Sequence, residues 1–230
     1  MIIDKTGTIV VLTGAGISAE SGIPTFRGGS GLWNNHRIED VASPEGFAKN
    51  PDLVQQFYNS RRRELASVHP NDAHKALAKL AANWDGDFLL VTQNIDDLHD
   101  RCVVNPKPGF KLVHMHGELN KSYDLKSQMS IDQIGDITDN SIRPYVVWFG
   151  EYPLHMDVIE DHLTRCDLFV SIGTSGNVYP AASFTQLAKK MGAITVQLNL
   201  EPSWTTIPFD RIEIGTASKI VPSFVEELLQ

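Results

Sequence analysis

Gly7-Thr8-Ile9-Val10-Val11-Leu12-Thr13-Gly14 is an unbroken apolar, β-branched run closed at both ends by glycine. A strand with one wet face alternates apolar and polar residues. A strand buried on both faces does not, and such strands build parallel sheets covered by helices on either side. Three runs of the same kind follow, DFLLVT at 87–92, DLFVSIG at 167–173 and AITVQLN at 193–199. Between them the spacing predicts helices over 51–65, 71–84 with Asn71 as the cap, 156–165 and 181–191. Strands that alternate with helices pair in parallel through crossovers, so the expected fold is α/β with a doubly wound sheet. Two stretches break the alternation. Residues 21–50 are rich in Gly, Ser and Pro and show no periodic apolar face, which reads as a long loop over the sheet edge. Residues 120–143 are polar and weakly patterned, and read as a small lobe or excursion.

The 230 residues are 42% hydrophobic and carry a net charge of −8, enough chain for one well-buried domain and not for two large ones. No run of 18 apolar residues occurs, and the start MIIDKTGTIVVLTG lacks the pattern of a secretory signal. A soluble, cytoplasmic monomer that does not bind a membrane is the expectation. The acidic balance counts against a nucleic-acid binder, which needs a basic face. The two cysteines, Cys102 and Cys166, have no oxidising-compartment signature and read as buried small hydrophobes.

Directly after the first strand come Gly14, Ala15, Gly16 and Ser18. Glycines there let the backbone turn sharply and bring its N–H groups against a pyrophosphate, although a turn of this kind also serves purely structural ends. A hydride-transferring dehydrogenase would show a second strand and an acidic residue about 20 residues further on. The next strand instead begins near Asp87, which leaves residues 20–40 free to fold over a ligand. Gln93-Asn94-Ile95-Asp96 leaves the second strand at its carboxyl end, where such folds bind ligands, and the amides offer both donor and acceptor. Read singly, residues of these types are more often caps of a following helix. His116 titrates near neutrality and suits a general base, and His114 two residues earlier leaves a metal pair open as the alternative. In the helix from Pro51, Val54, Phe57, Tyr58, Arg61 and Leu65 fall on one stripe, whereas Arg62 and Arg63 fall outside it and read as solvated. An inward Arg61 needs an acceptor, either an acidic neighbour in a structural ion pair or a ligand carboxylate shared with Tyr58.

The segments GAGISAESGIPTFR, TQNIDDLH, HMHGEL, VVWFGE, GTSGNVYPA and NLEPS, in this order, resemble the sirtuins, the NAD-dependent protein lysine deacylases, from about residue 8 to residue 225. Within that family the chain resembles the bacterial members that remove acidic acyl groups. The resemblance implies one catalytic domain with a large Rossmann-like lobe (1–30, 85–118, 145–230) and a small inserted lobe (31–84, 119–144). It implies NAD as a consumed cosubstrate, held by Gly14, Ala15, Gly16, Ser18, Phe26, Arg27, Gln93, Asn94, Ile95, Asp96, Gly173, Thr174, Ser175, Asn199, Leu200, Glu201 and Ala217. His116 would take a proton from a ribose hydroxyl, with Asn94 and Asp96 at the nicotinamide pocket. Tyr58 and Arg61 would read a succinyl or malonyl carboxylate, and Val147, Phe149, Gly150 and Glu151 would pair with an acyl-lysine peptide. The products would be free lysine, nicotinamide and O-acyl-ADP-ribose. Protein ADP-ribosyl transfer and a non-catalytic NAD or acyl-lysine binding module are the competing readings.

One departure from the family pattern stands out. Where the resemblance implies four zinc-binding cysteines, between His116 and Val147, this chain has none. No structural zinc is therefore expected, and apolar contacts from Tyr123, Leu125, Met129, Ile131, Ile134 and Ile137 are expected to hold the small lobe.

Overall fold

The computed structural model describes residues 3–25, 32–33, 36–133, 135–176, 178–202 and 207–230, with Leu32 and Trp33 described by backbone alone. Its strands are β1 (Ile9–Thr13), β2 (Leu32–Trp33), β3 (His36–Arg37), β4 (Phe88–Thr92), β5 (Phe110–His114), β6 (Gly117–Asp124), β7 (Met129–Asp132), β8 (Ile142–Val146), β9 (Leu168–Ile172), β10 (Ile194–Asn199) and β11 (Arg211–Ile214). Its helices are α1 (Ile38–Val41), α2 (Pro44–Lys49), α3 (Pro51–Leu65), α4 (Asp72–Asn83), α5 (Met156–Arg165), α6 (Phe184–Lys190) and α7 (Ala217–Leu229).

Six strands form one parallel sheet in the order β11-β10-β9-β1-β4-β5. The expected four runs are its centre, and every residue of β1, β4 and β9 is buried. Because successive side chains point to opposite faces, Ile9 and Val11 pack with α4 and α7 while Val10 and Leu12 pack with α5 and α6. Each fully buried side chain of this kind contributes about 1.5–3 kcal/mol through its removal from water. Asn71 caps α4 as expected, its Oδ1 accepting from the Ala73 N–H. Strands β5 and β11 and helix α7 extend the expected pattern; Pro222 inside α7 breaks the usual helical reading of that segment.

The two irregular stretches hold more structure than their composition suggests. Within 21–50, α1 and α2 form, the latter started by the Ser43 hydroxyl accepting from the Gly46 N–H, with Pro44 at its first position. Helices of four and six residues are too short to show a 3.6-residue period. Residues 120–143 belong to a three-stranded antiparallel sheet, β7-β6-β8.

Of the apolar residues expected to hold that sheet, three do not. Leu125, Met129 and Ile131 are 44%, 65% and 43% exposed; Ile137 is buried, Tyr123 stacks on Tyr145, and Ile134 lies outside the described residues. A polar stripe on α3 does the holding. Gln55, Asn59 and Arg62, spaced 4 and 3 apart on one face, all reach backbone atoms of the small sheet or, at Ile137, of its β7–β8 connection. The Gln55 amide donates to the Ile142 carbonyl (2.6 Å), and the Asn59 side chain both donates to the Ile137 carbonyl and accepts from the Ile137 N–H (2.8 Å each). Arg62 donates from Nε to the Leu119 carbonyl (2.9 Å) and from Nη1 to Asn59 Oδ1. Arg62 is thus buried, not solvated, and burial pulls its guanidinium down to about 10. Arg63 is exposed and paired with Asp136. Helix α4, inside the range 31–84, packs on the parallel sheet through Ala73, Leu77 and Leu80. Both cysteines are free, and among the described residues no helix is long and apolar enough to cross a membrane.

Candidate functional site

The sheet order places β4 and β5 on one side of β1 and β9, β10 and β11 on the other, so the chain reverses direction between β1 and β9. Ligands of doubly wound sheets lie at the carboxyl ends of strands at such a switch point. The two turns that leave β1 and β9 there meet backbone to backbone. The Gly14 N–H donates to the Ile172 carbonyl (3.0 Å) and the Gly16 N–H to the Gly173 carbonyl (2.8 Å). A Cβ on Gly16 would stand 2.7 Å from the Gly173 Cα, and one on Gly14 would stand 2.8 Å from the Thr174 Cβ. Only glycine fits at either position. Ala15 begins the one-turn 3₁₀ segment that follows, and Glu20 then reaches across to the start of α7, accepting from the Ser218 N–H and hydroxyl (2.8 and 2.7 Å). This latch, beside Ala217, joins residues 198 positions apart and has no local sequence signal.

Gln93, Asn94 and Asp96 leave β4 toward the same turn. The Gln93 amide donates to the Thr174 hydroxyl (3.1 Å), and the Asn199 amide donates to the Thr174 carbonyl (3.0 Å). Asn94 Nδ2 donates to the Gly14 carbonyl and to Ser18 Oγ (3.2 Å each), and Ser18 Oγ donates to Asp96 Oδ2 (3.0 Å). Asp96 is buried, and burial pushes its carboxyl above the usual range despite hydrogen bonds from the Leu98 N–H and Ser18. Ile95 is half-buried, and its carbonyl accepts from the Leu119 N–H, tying the small sheet to this turn. Ser175, Leu200 and Glu201 are exposed at the ends of β9 and β10. Phe26 and Arg27 lie outside the described residues.

The structure separates the two histidines of the His-x-His pair. His116 Nδ1 lies 2.9 Å from the Gln93 carbonyl, an atom that can only accept, so Nδ1 carries the hydrogen and Nε2 holds the free lone pair. Burial holds its imidazole below the usual histidine range, partly offset by that carbonyl. His114 is buried with Nε2 3.0 Å from Asp100 Oδ2; burial would lower it, but Asp100 and Glu118 carry it above the ordinary value. Among the described residues Asp100, His114 and Glu118 alone bring three potential metal ligands together, and His116 is not one of them. Two further histidines, unassigned from the sequence, sit under the site. His99 Nε2 is 3.1 Å from Thr13 Oγ1 and His74 Nε2 is 3.4 Å from Ser18 Oγ, with the two rings 4.8 Å apart.

Residues 147–151 form a turn tied by backbone hydrogen bonds to two neighbouring segments and to itself. Val147 donates to the His116 carbonyl (2.9 Å), Phe149 to the Ala42 carbonyl (3.0 Å) and Glu151 to the Trp148 carbonyl (3.0 Å), and Gly150 takes φ +91°. Phe149 is exposed, whereas Tyr58 has no accessible surface and its hydroxyl accepts from the Trp148 indole N–H (3.0 Å). Arg61 pairs with Glu64 (2.9 Å) and stands over the Phe57 ring, which is the acidic-neighbour arrangement.

The donor set of the small lobe does not fit zinc, which in structural sites takes sulfur and nitrogen. No Cys or His occurs in 117–146. Asp124 accepts from the Lys126 and Ser127 N–H groups, Asp139 from Ser141, and Asp136 pairs with Arg63.

Comparison with known proteins agrees with this geometry. The Sir2 family profile matches residues 14–180. An NAD-dependent protein deacylase of Vibrio vulnificus (strain YJ016) is 55% identical over 96% of this chain and 93% of its own length. One of the same name from Pasteurella multocida (strain Pm70) is 52% identical over 98% and 99%. The crystal structure of a Sir2 homologue in complex with NAD superposes with a TM-score of 0.85 at 35% identity, covering 96% of this chain and 89% of that one. A Sir2 structure with p53 peptide and NAD+ gives 0.79 at 26% identity, covering 96% and 92%. With a glycine turn at the switch point, a histidine fixed in its basic tautomer beside it and a family profile spanning both, the chain belongs to the Sir2 family.

Proposed function

We propose that this protein is an NAD-dependent protein lysine deacylase that transfers acetyl, succinyl or malonyl groups from lysine to ADP-ribose. The observation that carries the reading is His116, whose Nε2 lone pair is kept available by the Gln93 carbonyl on Nδ1, one strand end from Asn94 and Asp96. NAD enters as a substrate and supplies a ribose carbon activated by a departing nicotinamide. Gly14, Ala15, Gly16 and Ser18 form the turn against its phosphates, with Arg27 as the cationic partner; the Gly14 and Gly16 N–H groups are already given to the Ile172 and Gly173 carbonyls, so these glycines contribute the close approach of the backbone. Gln93, Gly173, Thr174 and Ser175 hold the ribose side, and Asn199, Leu200, Glu201 and Ala217 hold the adenosine. Phe26 shields the nicotinamide end from water, and Ile95 closes the pocket wall. Asn94 and Asp96, braced by Ser18, orient the carboxamide, and His116 accepts a ribose hydroxyl proton.

Val147, Phe149 and Gly150 pair with the peptide as an added strand, which reads backbone and admits many sequences. Tyr58 and Arg61 at the acyl end favour an acidic acyl group, with Arg61 exchanging Glu64 for the ligand carboxylate. Residues 31–84, apart from α4, and 119–144 form the small lobe over a large Rossmann-like lobe. The α3 clasp replaces a structural zinc in holding it. A cytoplasmic monomer that binds no nucleic acid fits the charge of −8.

Incubation with NAD and acetyl- or succinyl-lysine peptides, with products identified by mass, tests the reading. Free lysine peptide, nicotinamide and O-acyl-ADP-ribose are expected. ADP-ribose on protein with the acyl group intact would indicate the transferase instead, and no consumption of NAD a binding module.

A further inference from the structure

The 147–151 turn is braced by the side chains of two residues, Arg143 behind it and Glu151 at its end, which are engaged with each other and with the turn itself. Arg143 on β8, with its side chain 14% exposed, forks onto Glu151 through Nη1 to Oε1 (2.6 Å) and Nη2 to Oε2 (2.9 Å). Nη2 also donates to the Val146 carbonyl (2.8 Å). Its guanidinium carbon lies 3.5 Å from the centroid of the Trp148 ring, in stacking contact. The Glu151 carboxylate in turn accepts from the Trp148 backbone N–H (2.8 Å). Trp148 is therefore held on its face by Arg143 and on its backbone by Glu151, and its indole N–H passes the constraint to the Tyr58 hydroxyl. A planar guanidinium performs the stacking and the fork together; an ammonium performs neither.

We infer that Arg143 and Glu151 are positioning residues, which fix Trp148 and thereby set both the peptide-pairing turn and the acyl-reading Tyr58 in register. The inference rests on the deacylase reading for the identity of the peptide ligand. The pair lies outside the cofactor path: the Arg143 and Glu151 side chains contact each other, Val146 and Trp148, whereas Gln93, Asn94 and the Gly14 turn contact Thr174, Ser18 and the turn after β9. Its loss separates peptide binding from nucleotide binding, which a general loss of folding does not do.

The test uses the full chain and the variants Arg143→Gln, Arg143→Lys, Glu151→Gln and the double variant R143Q/E151Q. Anisotropy with fluorescein-labelled acetyl-lysine and succinyl-lysine peptides is measured without NAD, and calorimetry with ADP-ribose. Arg143→Gln is expected to weaken both peptides about tenfold, the succinyl peptide about threefold more than the acetyl one, and to leave ADP-ribose affinity within twofold. Arg143→Lys should fail to restore binding. The double variant should lose less than the sum of the singles in logarithmic terms, because neither partner is left charged and alone. Should Arg143→Gln not fold, Glu151→Gln carries the same split between peptide and nucleotide. Unchanged peptide affinity in a folded variant, or an equal loss for ADP-ribose, overturns the inference. A wild-type chain that binds ADP-ribose and no acyl peptide overturns the deacylase reading instead.

Discussion

Asn59→Ala tests what holds the small lobe. Asn59 is 5% exposed and mimics a β-bridge, accepting from the Ile137 N–H and donating to the Ile137 carbonyl at 2.8 Å each, while its Oδ1 also accepts from buried Arg62. Truncation removes all three hydrogen bonds at once. Ile137 is 3% exposed, so both of its backbone groups lose their partner in a place water does not reach in the intact protein. Leaving a buried polar group unsatisfied costs about 1–3 kcal/mol, and more for a charged one. Water admitted into the space vacated by the amide recovers part of this, so the low end of the range applies to each of the three groups. The expected loss is about 3 kcal/mol, which for a chain of this size is roughly 6–12 °C in Tm. Urea unfolding followed by circular dichroism and by tryptophan fluorescence measures it. A loss below about 1 kcal/mol would refute the clasp as the element that fixes the lobe. Treatment with a strong chelator should leave the wild-type midpoint unchanged, since the lobe presents no donor set for zinc.

Five further outcomes are expected. His116→Ala should lower kcat/KM by roughly a hundred- to ten-thousand-fold, the usual contribution of a general base, without weakening ADP-ribose binding measured by calorimetry. Because burial keeps the wild-type imidazole neutral to below about 6.5, the acidic limb of the kcat/KM profile should fall below that pH; a limb at or above pH 7 would contradict the assignment. Gly16→Ala should cost nucleotide binding at least tenfold in the same calorimetry, since its Cβ meets the Gly173 backbone at 2.7 Å. Stability should fall on acidification: burial lowers His74 to about 4 and His99 well below its ordinary value, so the unfolded chain takes up protons that the folded one refuses. That stability is present in full above about 6.5 and is lost between there and about 4, at about 1.4 kcal/mol per pH unit for each histidine. His116, lowered by burial, adds to this loss, while His114, raised by Asp100 and Glu118, offsets part of it, so urea titrations should show a net fall in stability from pH 7.5 to 5.5; no fall would contradict the burial of the neutral histidines. Finally, Arg61→Met should abolish removal of succinyl while sparing much of the acetyl activity in parallel assays; an equal loss of both would remove Arg61 from acyl selection.

The parallel sheet was legible because burial on both faces forces a composition. A strand such as Ile9–Thr13, with no wet side, has no room for polar residues, and the glycines that end it are required where two backbones approach within a Cβ radius. The same logic exposed Gln93, Asn94, Asp96 and His116, which follow strands at ends where ligands bind. Short helices such as Pro44–Lys49 escaped because one and a half turns cannot display a period. The antiparallel sheet of β6, β7 and β8 escaped because β7, exposed throughout, is only four residues long, too short for its alternation of Met129 and Ile131 with polar residues to stand out, and the central strand β6 is mostly polar.

Composition and spacing alone fix the order and burial of the central strands and the residue types at their carboxyl ends. The holding of the small lobe and the bracing of the 147–151 turn arise only when distant segments meet in the fold. Gln55, Asn59 and Arg62 bind backbone groups 87, 78 and 57 positions away, at Ile142, Ile137 and Leu119. A backbone N–H or carbonyl is the same at every residue, so the partner side of such a bond leaves no mark in the amino-acid code. The polar stripe on α3 therefore reads, in one dimension, like any solvated helix face, and becomes a clasp once folding brings the strand edge against it.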